Sequence, residues 1–122
     1  MRTEDRALGL IGMAQRAGKL ASGEFSTEKL IQSGRAFLVI VAEDASENTR
    51  KRFQDKCTFY EIPCFVFETR ERLGRAIGKE LRASLAIGDE NLAGAVEKLL
   101  RQLEAGSQAS DTDKKATDGQ QI

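Results

Sequence analysis

The stretch "AFLVIVA" at 36–42 constrains this chain more than any other. It is an unbroken apolar run, rich in β-branched residues and far too short to cross a bilayer. Such a run reads as a strand covered on both faces. A strand of that kind needs a helical layer above and below its sheet. "PCFVF" (63–67) and "SLAIG" (84–88) read the same way, with Pro63 at a first strand position, where proline is tolerated.

Helical patterns fill the intervals. Ala7, Leu8, Ile11 and Ala14 recur at helical spacing in residues 4–17, and Gly18 suits the stop. A second helix is predicted over 24–33. Ser46 suits the N-cap of a third, which carries Phe53, Cys57 and Tyr60 on one face to residue 60. Thr69 starts a short fourth helix that ends at Gly78. Asp89 starts a fifth, with Leu92, Val96, Leu99, Leu100 and Leu103 in register. The strand–helix–strand alternation implies parallel pairing. "KLAS" (19–22) adds a short edge strand. The expected fold is α/β: a single three-layer α/β/α sandwich with a small mixed sheet of about four strands.

The chain has 122 residues, the size of one domain. After Glu104 large apolar residues all but vanish, so the expected division is a domain over 1–104 and a disordered polar tail over 105–122. The whole chain is formally neutral. Without the tail, seventeen basic and sixteen acidic residues leave a net of +1. The chain as a whole thus lacks the basic footprint of most nucleic-acid-binding domains, although a local patch remains open. Cys57 and Cys64 have no histidine partner anywhere in the sequence, so their spacing is not that of a zinc site. They read as buried, reduced thiols, in keeping with a cytoplasmic location. No metal or cofactor is expected.

Two motifs invite chemistry and carry little. "GMAQRAGKL" (12–20) departs twice from a phosphate-binding P-loop: five residues separate Gly12 from Gly18, and Leu20 stands where a hydroxyl should be. It also lies at a helix end rather than between strand and helix. Glu43 and Asp44 follow the central strand, where ligand sites form in α/β sheets. No third ligand, nucleophile or histidine accompanies them. Carboxylates there more commonly serve the start of the next helix. No enzymatic activity is expected.

"ASGEFSTEKLIQSGR" (21–35) is more informative. On a wheel of about 100° per residue with Phe25 at zero, Thr27, Leu30 and Ile31 fall near 200°, 140° and 240°, the core stripe. Phe25 therefore shares the wet face with Lys29 and Gln32. The preceding Ser22-Gly23 turn leaves N–H groups open at a helix N-terminus. Ring, ammonium and amides suit RNA through stacking and phosphate attraction. The competing reading folds Phe25 back onto a neighbouring loop as a staple. Arg16 and Lys19 before the turn, and Arg72, Arg75, Lys79 and Arg82 further on, add a basic end if they meet in space. "SENTRKRFQDK" (46–56) reads as a solvated face.

Four stretches together resemble a known family: "GLIGMAQRAGKLASGE", the K-x-I-x-S-G-R-A pattern of 29–36, "LVIVAEDASENTRKR" and "LGRAIGKELRASLAI". In this order and spacing they are similar to the kink-turn-binding ribosomal-protein superfamily of L-seven-Ae and L-thirty-e type, in its small bacterial YlxQ-like branch. The resemblance covers about Leu8 to Leu100. It implies an α/β/α sandwich that binds folded RNA. It also implies that Gly23, Phe25, Ser26 and Lys29 occupy the positions where relatives grip a kink turn with Gly-x-Asn-Glu and a following lysine. It maps the loop that cradles an extruded base onto Leu81, Arg82 and Ala83, and the carboxylate after the central strand onto Glu43 or Asp44. Phe25-Ser26 replaces Asn-Glu, which implies a changed or lost kink-turn specificity. A ring cannot make asparagine's hydrogen bonds, a loss of a few kcal/mol, but it can stack on a free base for about 1–3 kcal/mol.

The expected function is non-catalytic binding of structured RNA, ribosomal or ribosome-associated, by a protein that is monomeric when free. Gly23, Phe25, Ser26, Lys29, Glu43, Leu81, Arg82 and Ala83 would form the site, with Arg16, Lys19 and Lys79 attracting phosphates. Ribosomal or RNA-processing proteins are the expected protein partners; a third reading makes the chain the RNA-recognition module of a modifying enzyme. The alternative is a protein–protein adaptor on the same fold that uses the Phe25 surface.

Overall fold

The computed structural model describes the backbone of residues 1–116 and the side chains of residues 1–106. Along the chain lie α1 (Thr3–Arg16), β1 (Leu20–Ser22), α2 (Glu24–Gln32), β2 (Leu38–Val41), α3 (Glu47–Tyr60), β3 (Cys64–Val66), α4 (Arg70–Ala76), β4 (Ser84–Ile87) and α5 (Glu90–Ala116). The strands form one sheet in the order β1-β4-β2-β3. β2 and β4 are central and every residue in them is buried. Helices α2 and α3 pack on one face, while α1 and α5 pack together on the other with α4 against α1. Ile11, Ile31, Leu38, Ile40, Phe53, Leu85 and Val96 fill the two interfaces and have lost all contact with solvent. The architecture is the α/β/α sandwich that the apolar runs require.

The helix starts are made by the expected side chains. Ser46 Oγ accepts from the Thr49 amide at 3.1 Å, Thr69 Oγ1 from the Arg72 amide at 3.2 Å, and Asp89 Oδ2 from the Leu92 amide at 2.9 Å. Cys57 and Cys64 are free thiols where α3 meets β3, Cys57 buried and Cys64 half-buried. A hydrogen bond with Cys64 and burial together push the Cys57 thiol up, so it stays protonated.

One expectation changes. Only β2 and β3 run parallel; β4 is antiparallel to both β2 and β1. The cause is the segment after α4. It doubles back, so that the Arg82 amide donates to the Arg70 carbonyl at 3.1 Å, at the start of the same helix. The chain thus re-enters the sheet at the end it had just left, and β4 must run the other way. Gly74 permits this close return: a Cβ there would lie 1.4 Å from the Glu80 carbonyl oxygen. At the C-terminus the backbone of α5 runs past Glu104 to Ala116. The rest of the expected tail, 117–122, lies outside the described residues.

Candidate functional site

The N-terminus of α2 is built by Gly23. Its φ of 89° and ψ of 161° lie in a region that side chains rarely enter. This bend turns the chain out of β1 and into the helix within one residue. The Gly23 amide donates to the Ser84 carbonyl at 2.9 Å, and the Gly23 carbonyl accepts from the Thr27 amide at 3.0 Å. Having no side chain, Gly23 caps nothing, and among the described residues no other side chain caps this end. The first helical amides therefore face outward without a protein partner, at the positive end of the helix dipole.

The faces of α2 divide sharply. Thr27 and Ile31 are fully buried, and the Ser84 hydroxyl reaches Thr27 Oγ1 at 3.5 Å. Glu24 and Glu28 turn sideways to α3, where Arg52 binds both and Lys56 lies 3.2 Å from Glu28. Phe25 stands on the open face, 76% exposed. The Lys29 ammonium sits 5.8 Å from its ring centroid, within cation–π range. The ring does not fold back on a loop, so the staple reading fails.

The loop before β4 joins this surface. Arg82 Nε donates to Ser22 Oγ at 3.0 Å, and one terminal nitrogen donates to the Leu81 carbonyl at 2.8 Å. Ser22 immediately precedes Gly23, so Arg82 ties the loop to the open end of α2. Leu81 presents a half-exposed apolar side chain beside it. The Ala83 carbonyl accepts from the Ala42 amide at 2.8 Å, which brings Glu43 to the same end of the sheet. Gly23, Phe25, Ser26, Lys29, Glu43, Leu81, Arg82 and Ala83 thus share one end of the molecule.

The carboxylate pair after β2 splits. Asp44 Oδ1 accepts from the Arg70 amide at 2.8 Å, and the Arg70 guanidinium stands 3.5 Å from its other oxygen. The backbone hydrogen bond, with the Arg70 charge behind it, holds the Asp44 carboxyl below its ordinary value. Asp44 therefore serves the start of α4. Glu43 keeps an exposed side chain, while its backbone amide binds the Glu68 carbonyl at 2.7 Å. Among the described residues, no group of three or more His, Cys, Asp or Glu side chains is placed to hold a metal ion.

The outlying cations do not all gather. Lys19 lies at the opposite end of β1, where its carbonyl accepts from the Gly88 amide at 2.8 Å. There it lines a cleft of about 270 Å³ with Leu30 and Arg35, a strand's length from Gly23. Arg16 rests over Gly12 beside the Ala76 carbonyl, where α1 meets α4. Arg72 is neutralised by Glu68 and Asp5, and Arg75 by Glu71. Lys79 stays exposed in the loop, with its amide on the Gly74 carbonyl. Among the described residues, no carboxylate pairs with Lys29, Lys79 or Arg82. Sequence reasoning missed Arg52 and Lys56 as neighbours of α2. Their i, i+4 spacing was the available signal, and on its own it describes any solvated helix face.

The residues build a small α/β/α domain with an uncapped helix end joined to an adjacent loop. Residues 5–97 match the model of the ribosomal protein L7Ae/L30e/S12e/Gadd45 family, and the chain belongs to that family. It is 46% identical over 91 residues to the RNA-binding protein YlxQ of Bacillus subtilis, covering 75% of this chain and 91% of that protein. It is 42% identical over 95 residues to the RNA-binding protein YlxQ of Enterococcus faecium, covering 78% and 91%. Among solved structures, a protein of unknown function from Bacillus halodurans superposes with a TM-score of 0.76 at 38% identity, over 79% of this chain and 97% of that one. The 15.5kD RNA binding protein of Giardia lamblia superposes with a TM-score of 0.69 at 22% identity, over 86% and 91%, and shares the fold.

Proposed function

We propose that the protein binds structured RNA through the open end of α2 and the loop before β4, without catalysis. One observation carries the reading: Arg82 bonds Ser22, so uncapped amides, the exposed Phe25 ring, Lys29 and Leu81 form one continuous surface. The amides and Lys29 suit phosphate oxygens, Phe25 suits the face of an unstacked base, and Leu81 suits a second. The two YlxQ relatives, both RNA-binding proteins by name, support it. The site is read as one for ribosomal or ribosome-associated RNA in the cytoplasm. Among the described residues no helix is long and apolar enough to cross a membrane.

Phe25 and Ser26 change what the surface reads. A phenyl ring offers no hydrogen bond to a purine edge, so a ligand chosen by edge pairing is disfavoured and one chosen by stacking is favoured. The test compares a kink-turn RNA, a straight duplex and ribosomal RNA as ligands of wild type and Phe25→Ala at two salt concentrations. Wild type is expected to prefer RNA with an unstacked base, and Phe25→Ala to lose about tenfold or more. Absence of RNA binding at low salt overturns the reading. Tight kink-turn binding untouched by Phe25→Ala overturns the role given to the ring. A protein partner held through Phe25 regardless of salt would favour the adaptor reading instead.

A further inference from the structure

Arg52 lies on α3, outside the surface just described, yet it sets the charge beside that surface. One terminal nitrogen binds the Glu24 carboxylate. The other lies 2.9 and 2.8 Å from the two Glu28 oxygens, and Nε lies 3.2 Å from Glu28 Oε2. Lys56 adds its ammonium at 3.2 Å from the same oxygen. The Arg52 hydrogen bonds, reinforced by Lys56 against the effect of burial, hold the Glu28 carboxyl below its ordinary value. The Glu28 carboxyl is therefore charged at neutral pH, and the side chains of Glu24 and Glu28 both point at α3.

Their position makes this matter. Glu24 is the first residue of α2, so its carboxylate is the closest anion in sequence to the open amides. A free carboxylate in a first helical turn is drawn to that positive end. There it would occupy the amides itself and repel an incoming phosphate. Glu28, one turn on, would repel the same phosphate beside Lys29. Arg52 holds both aside with one planar fork, a geometry that lysine cannot reproduce.

We propose that Arg52 is a positioning residue for RNA binding: it withdraws Glu24 and Glu28 from the open end of α2, so that phosphate meets amides and Lys29 with no carboxylate in front of them. The inference rests on the RNA reading above. It gives Arg52 no contact with RNA, and so separates its role from that of an ordinary basic contact residue.

The test uses Arg52→Gln, Glu24→Gln/Glu28→Gln and the triple variant that combines them. The probes are the kink-turn RNA and ribosomal RNA, with melting by circular dichroism as a check on folding. Arg52 and Glu24 are about half exposed, and Glu28 keeps Lys56 when Arg52 is replaced, so all variants are expected to fold. Arg52→Gln should bind RNA roughly five- to tenfold more weakly at low salt, with the deficit shrinking at high salt. The triple variant should return to about wild-type affinity, because the carboxylates that Arg52 restrained are gone. Arg52→Lys should fall between wild type and Arg52→Gln, and gives a second readout should the glutamine variant melt early. A triple variant as weak as Arg52→Gln overturns the proposal, because Arg52 would then touch RNA or hold the helix in place. Wild-type affinity in Arg52→Gln overturns it too, as the carboxylates would not matter. If wild type itself binds neither probe, the RNA reading fails and this inference with it.

Discussion

Two neighbouring residues carry opposite demands at the start of α2. Gly23 is held by geometry: at φ 89° and ψ 161° a Cβ would meet no heavy atom within 4 Å, so the objection to a side chain is backbone strain rather than space. Phe25 is held by nothing the fold needs, since three quarters of it is exposed and the Lys29 ammonium lies over its ring. Substitutions should separate the two roles. Gly23→Ala is expected to cost about 2 kcal/mol of stability and to weaken RNA binding, because the bend that leaves the amides open must relax. Phe25→Ala should change stability by less than about 0.5 kcal/mol while lowering affinity. Urea unfolding of both variants checks this. A Gly23→Ala protein as stable as wild type would show that the bend is not strained as described.

At the scale of elements, local signals and tertiary ones part company. Helix starts at Ser46, Thr69 and Asp89 are legible because a cap is a short-range hydrogen bond between residues three apart. The stripe of Phe25 and Lys29 is legible because helical period alone fixes it. The direction of β4 is not, because it depends on how closely the loop after α4 can fold back on that helix. The bonds of Arg52 with Glu24 and Glu28 escape sequence reading for the same reason: they join residues 28 and 24 positions apart, through packing of α2 on α3. The loop that reverses β4 is also half of the proposed site, so one residue can test both. Gly74→Ala would place a methyl group where the Glu80 carbonyl now lies. The backbone of 79–82 must move, with an expected cost of about 3 kcal/mol. Leu81 and Arg82 would shift away from Ser22, so affinity should fall even in the folded fraction. Thermal melts and RNA titrations of the same preparation check this, and intact binding by a folded Gly74→Ala protein would separate the loop from the site.

The whole molecule resolves the puzzle of its neutral charge. Nineteen basic and nineteen acidic residues cancel on average, and many of them cancel locally. Arg72 and Arg75 are neutralised on α4, Lys51 pairs with Asp55 on α3, and Arg101 pairs with Glu97 on α5. The proposed surface is different: Lys29, Lys79 and Arg82 have no carboxylate partner among the described residues, and Glu24 and Glu28 are turned away. Total charge is therefore a poor guide here: i, i+4 spacing hints at some paired cations, but which cations stay open depends on tertiary packing. The distinction has a measurable consequence. Counterion release scales with the phosphates neutralised, about 0.9 per contact in the slope of log affinity against log salt for a duplex and about 0.7 for a single strand. Three open cations predict a slope of roughly −2 to −3, much shallower than that of a strongly basic RNA-binding domain. Filter-binding titrations across a salt series measure it directly. Lys29→Gln should make the slope shallower by somewhat under one, whereas Lys51→Gln, whose charge is already spent on Asp55, should leave it unchanged. A slope near zero in wild type would mean that phosphate is not what this surface holds. A steep slope, beyond about −5, would mean that the paired arginines of α4 open their salt bridges to take part.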